Sequence, residues 1–159
     1  MTTHYTGGCS CGLVRYELLT EPMFTHCCHC HLCQQITGSA FITNTMIEGA
    51  NFILTSGKLS SFTGSSGSGS KHVIKRCPDC GDPLVSYFGG TEHVAVVKAG
   101  TLDNPNLAPP QAHVFVDTKV KWLQLPADTP AFKEFYEFEK MWPAESYSRL
   151  QLMRKLRGQ

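Results

Sequence analysis

The chain lacks the features that would send it to a membrane or to a polyanion. No apolar run approaches the roughly 20 residues of a membrane span. The opening residues, MTTHYTGGCS, hold no apolar stretch of the kind a signal peptide needs. An excess of either charge is missing too. The chain has 14 Lys and Arg against 13 Asp and Glu, a formal net charge of +1. No basic field invites nucleic acid, and no acidic tail invites a basic partner. Helical periodicity is absent before residue 129, and no segment repeats. The expectation is a cytoplasmic protein with no membrane and no nucleic-acid partner. Thiols stay reduced there, so the 8 cysteines read as metal ligands before disulfides.

The chain does have short strands. LVRYEL (13–18), AFITNTMI (40–47), KHVIKRC (71–77), LVSYF (84–88), HVAVVKA (93–99) and AHVFVD (112–117) are rich in β-branched and aromatic residues. At 42% hydrophobic and 17% charged, the 159 residues can build a real core. The fold class expected is mainly β, with packed antiparallel sheets and a helical C-terminal segment. GSSGSGS (64–70) reads as a mobile surface loop, with a lid beside a site as the alternative. It is no phosphate loop, because Ser70 stands where the lysine of such a loop belongs. Thr129 and Pro130 look like a helix start, followed by Phe132, Phe135, Tyr136 and Met141 at near-helical spacing. Pro143 breaks that run. A second helix is expected over 144–157, with Tyr147, Leu150, Met153 and Leu156 on one face. The organisation expected is a zinc-binding domain over 1–126 and a helical extension over 127–159.

The cysteines fall into two sets. Cys77-Pro78-Asp79-Cys80-Gly81 is a zinc knuckle, in which Gly81 lets the chain turn tightly after the second ligand. Cys9 and Cys11, if extended, point to one side and complete a closed set of four thiolates. Such sites are structural. In THCCHCHLC (25–33), parity puts Cys28 and Cys30 on one face of an extended segment and Cys27 on the other. A turn through His31 and Leu32 then brings in Cys33. Three protein ligands with a fourth position open is the pattern of a catalytic zinc. A competing reading closes the site with His26, His31 or Cys27. Zinc deaminases also use cysteine-rich sites, but this chain has neither their H-x-E nor their P-C-x-x-C. Three thiolates leave zinc a weak Lewis acid, better suited to holding a thiol deprotonated than to making hydroxide. Cys27 reads as a buried thiol, with a redox role as the alternative.

The order Gly8-Cys9-Ser10-Cys11-Gly12, Cys28-His29-Cys30-His31-Leu32-Cys33, Gly38-Ser39-Ala40-Phe41, Arg76-Cys77-Pro78-Asp79-Cys80-Gly81 and Lys98-Ala99-Gly100-Thr101-Leu102-Asp103 resembles the glutathione-dependent formaldehyde-activating enzyme family, which includes centromere protein V-like chains. His113-Val114-Phe115-Val116 and Trp122 resemble its closing segment. The resemblance implies a zinc-stapled β-tent of packed antiparallel sheets. It implies two zinc ions per chain, a structural one on Cys9, Cys11, Cys77 and Cys80 and a catalytic one on Cys28, Cys30 and Cys33. It also implies a carbon–sulfur lyase or synthase like S-(hydroxymethyl)glutathione synthase, with glutathione or a glutathione conjugate as small-molecule partner. Lys71, Lys75 and Arg76 are the candidates for glutathione carboxylates. Homodimerisation is left open. The rival expectation is a zinc-ribbon-type binding module for a protein partner, without catalysis.

Overall fold

The computed structural model describes residues 4–158; Met1, Thr2, Thr3 and Gln159 lie outside them. Ten strands form two sheets. In chain order they are β1 (Tyr5–Gly8), β2 (Arg15–Leu18), β3 (Phe24–Cys28), β4 (Ile42–Glu48), β5 (Phe52–Ser56), β6 (Ser60–Ser65), β7 (Lys71–Arg76), β8 (Pro83–Phe88), β9 (Val94–Lys98) and β10 (Ala112–Val114). The helices are α1 (His31–Thr37), α2 (Phe138–Met141) and α3 (Ala144–Arg157). The small sheet runs β1-β2-β5, and the large one runs β10-β3-β4-β9-β8-β7-β6. The protein is mainly β with a helical end. The large sheet is mixed rather than purely antiparallel, because β10 pairs with β3 in parallel.

Alternation along the strands gives the large sheet two apolar faces. One packs on the small sheet, where Ile47, Val85, Ala95 and Val97 meet Tyr5, Tyr16, Leu18 and Phe52. The other carries Phe24, Cys28, Met46, Val96 and Val114, covered by Tyr136, Trp142 and Leu150 from the C-terminal segment. A sheet buried on both faces shows weak alternation in sequence. That is why β3, with all five residues buried, is illegible as a strand.

Three expectations need correction. The strand over 112–117 stops at Val114, because Phe115 takes a left-handed φ of 56° that extended pairing cannot continue. No helix starts at Pro130. The backbone of 130–134 is spent on β10 instead: His113 N–H donates to Pro130 O at 2.8 Å, Phe132 N–H to His113 O at 2.9 Å and Phe115 N–H to Glu134 O at 2.7 Å. Closing a sheet edge outweighs a modest helical pattern. The 64–70 segment begins inside β6 and ends in a Ser-lined hairpin turn, with Ser66 N–H donating to Ser70 O at 2.8 Å. Strand β7 holds that turn roughly 20 Å from Cys77.

Candidate metal centres

Cys9 and Cys11 sit in the turn between β1 and β2, and Cys77 and Cys80 in the turn between β7 and β8. The first pair converges through a turn and not through an extended segment: Gly12 N–H donates to Cys9 O at 3.0 Å, and Cys9 N–H to Val14 O at 3.1 Å. In the second pair Gly81 N–H donates to Cys77 O at 3.0 Å, and Gly81 adopts φ 80°, which a Cβ would resist. Asp82 stitches the two turns together, accepting from Ser10 N–H at 2.7 Å, and hydrogen bonding from the Ser10 side chain and then its backbone holds its carboxyl below the usual range. The Cys9 and Cys11 sulfurs lie 3.4 Å apart, and those of Cys11 and Cys77 3.8 Å. Tetrahedral zinc with bonds of about 2.3 Å needs sulfurs about 3.8 Å apart. The four residues therefore fit a metal that would tie the small sheet to the large one.

The second set follows from how β3 ends. Cys28 is the last residue of β3. Cys30 is still extended, with φ −66° and ψ 151°, and caps α1 by accepting from Cys33 N–H at 3.4 Å. The helical turn then returns Cys33, and Gly38 ends α1 in a left-handed conformation. The three sulfurs lie within 4.8 Å of one another. Among the described residues no His, Asp or Glu atom joins either group, and no fourth cysteine joins the triad. The other candidates are engaged elsewhere. His26 Nδ1 and the Tyr136 hydroxyl share a hydrogen bond at 2.8 Å, and that oxygen accepts from Trp142 Nε1 at 3.1 Å. His29 is fully buried against His113, with 2.9 Å between their ring nitrogens. His31 is exposed. Cys27 lies on the opposite face, 3.6 Å from Thr43 Oγ1, and burial raises its thiol pKa.

The triad cannot carry three negative charges unaided. Hydrogen bonds from Cys28 and Cys33 pull the Cys30 thiol far below the ordinary range. Its neighbours rise in consequence, Cys28 to about 12, and Cys33 is raised as well. Such a donor set is chemically suited to a soft divalent cation, which would hold all three as thiolates.

The strand β7 candidates separate. Lys75 Nζ pairs with Glu92 Oε1 at 2.5 Å and lies over the Tyr87 ring, on the small-sheet side. Lys71 is exposed at the start of the strand. Arg76 stacks its guanidinium over Phe62, and its buried Nε has no partner among the described residues.

The family model for the glutathione-dependent formaldehyde-activating enzyme matches residues 4–118. The chain belongs to that family. No curated protein matches it. Among solved structures, a Rhodobacter sphaeroides protein from a structural genomics programme is similar, with 21% identity and a TM-score of 0.47. That match covers 64% of this chain and 92% of the other. The matched span contains both cysteine groups, while α2, α3 and the stretch before them lie beyond it.

Sequence reasoning missed one group beside the triad. Lys98, at the end of β9, is 93% buried, and its Nζ donates to Asn44 Oδ1 at 3.0 Å. A lysine closing a strand ordinarily reads as a solvated end. The readable hint was its place inside the Lys98–Asp103 motif.

Proposed function

We propose that this chain is a zinc-dependent carbon–sulfur lyase or synthase that joins glutathione, or releases it from, a small electrophile, in the manner of S-(hydroxymethyl)glutathione synthase. The observation that carries the reading is the three-cysteine group with no fourth protein ligand among the described residues. Family membership supports glutathione and formaldehyde as the chemistry. In this reading Cys9, Cys11, Cys77 and Cys80 hold a structural zinc, and Cys28, Cys30 and Cys33 hold a catalytic one. A zinc ion in the triad supplies a center on which a substrate sulfur stays deprotonated at neutral pH. Cys28 and Cys33 fix the site to β3 and α1, and the buried His29 ring packs beside them against Phe41. Lys71 and Arg76 are the basic residues left to meet glutathione carboxylates, Lys75 being paired already. A cytoplasmic setting, where glutathione is abundant and reduced, belongs to the same proposal.

The test is the rate at which formaldehyde exchanges between its free and glutathione-bound forms, measured by NMR. The native chain accelerates the exchange. Cys30→Ser, with its fold intact, loses about a hundredfold or more of that acceleration. Exchange at the native rate in Cys30→Ser would remove the triad from the chemistry.

A further inference from the structure

Lys98 is an unusual residue to find inside this sheet. A buried ammonium is costly unless charge or hydrogen bonds compensate it. Among the described residues, no carboxylate touches it, and its one hydrogen-bond partner is the neutral Asn44 amide oxygen. An ammonium has three N–H donors. Two of them meet no acceptor among the described residues.

Those donors have a place to act. Lys98 lines a cleft of about 560 Å³ between the end of α1 and the knuckle after β7, together with Thr37, Phe41, Ile42, Gly81 and Thr101. The triad sulfurs do not line this cleft themselves, but Ile42 is the pairing partner of Cys28 and Asn44 stands two residues along the same strand. Lys98 pairs with Asn44 across β4 and β9, so its side chain shares the sheet face that carries Cys28. Burial pushes its pKa down to about 8, against a smaller opposing pull from the nearby Cys33 and Cys28 sulfurs. Lys98 thus lines the cleft and shares a sheet face with Cys28.

We propose that the Lys98 ammonium is the oxyanion-holding group of this site. The inference rests on the reading of the triad as the place where the substrate thiol is held. As the sulfur attacks, the C–S bond forms and the π pair of the carbonyl moves onto its oxygen. Lys98 donates to that oxygen while it carries the negative charge. The thiol proton has already left to solvent, and water returns one to the oxygen as the hydroxymethyl thioether departs. Asn44 is a positioning residue, which keeps the ammonium turned along the sheet.

Lys98→Met keeps the length of the buried stem and removes the charge; Lys98→Gln keeps a neutral donor should the first variant fold poorly. Each is compared with the native zinc protein in five measurements. Zinc content and the glutathione-induced spectrum of the cobalt-substituted protein stay unchanged. Formaldehyde exchange falls about a hundredfold in kcat for Lys98→Met and less for Lys98→Gln, while KM for glutathione stays within about threefold. Alkylation of bound glutathione by iodoacetamide, which builds no oxyanion, keeps its native rate. Formate, a probe for the oxygen site, competes with formaldehyde in the native protein and not in Lys98→Met. Equal loss in exchange and alkylation, an unchanged exchange rate, or loss of zinc from the triad would overturn the assignment. A native protein that captures no glutathione at the triad would instead overturn the functional reading beneath it.

Discussion

Cys27 shows what parity can decide. It neighbours a triad ligand in sequence, yet its sulfur faces Thr43 on the other side of the sheet. Cys27→Ala is expected to keep full metal content and to cost on the order of 1 kcal/mol in lost packing, read from denaturant unfolding. Because Thr43 Oγ1 offers a partner, Cys27→Ser should cost no more than alanine. Loss of a metal ion from either variant, measured by elemental analysis, would contradict the placement. His26 provides a second residue-scale prediction. Burial, with a smaller contribution from Lys98, depresses its pKa to about 3, so the folded protein keeps it neutral where the unfolded chain protonates it. Its contribution is full above the unfolded value near 6.5 and is lost as pH falls from there toward 3. His26→Asn keeps an acceptor for Tyr136. It should flatten the fall in unfolding free energy between pH 6.5 and 5 by up to about 1.4 kcal/mol per pH unit. An unchanged slope would mean that His26 titrates normally in the folded chain.

At the scale of elements, the helix α3 is held to the sheet by a fork. Arg149 Nε donates to Glu48 Oε1 at 2.7 Å, and a terminal nitrogen donates to Oε2 at 2.6 Å. The same guanidinium reaches Glu21 O at 3.0 Å and Thr20 Oγ1 at 3.1 Å. Burial favours the neutral Glu48, but the Arg149 bonds prevail and hold its pKa below the ordinary value. Its contribution is therefore lost as pH falls through the low carboxylate range. Arg149→Met should cost about 1–2 kcal/mol of stability at pH 7, and Arg149→Lys should recover little, because a lysine cannot match two oxygens at once. Full rescue by lysine would show that only charge matters. The second helix was legible in sequence because Pro143 and an apolar face mark it locally. The stretch before it was not. Its aromatic residues have helical spacing, but the unpaired edge of β10 claims its backbone, and no local signal records that demand. Helix α1 was hidden for a related reason. It is one short helix whose residues read as a metal-binding turn, and none of them is buried enough to give a stripe. The C-terminal segment is proposed as an extension packed on the zinc-binding part. Trp142 stacks on Phe24 at 5.2 Å, so removing 127–159 should leave a chain that aggregates.

Across the whole molecule, the two cysteine groups stand in different places, and the proposal gives them different jobs on that ground. The four-cysteine group bridges turns from both sheets, so Cys80→Ser should destabilise the protein broadly. The triad belongs to one strand end and the helix that follows it, so Cys30→Ser should spare the fold. Both groups were readable from spacing, because a metal ligand set is a local pattern repeated at two places in the chain. The buried lysine beside the triad was not readable, since burial is a property of the assembled sheet. The most direct test of the account is a titration of the cobalt-substituted chain with glutathione. A triad with an open position should gain thiolate-to-metal charge-transfer absorption and saturate at one thiol per chain, and Cys30→Ser should show none of this. A spectrum that glutathione leaves unchanged, or a response equally strong in Cys30→Ser, would contradict the claim that these three cysteines form a thiol-capturing metal site.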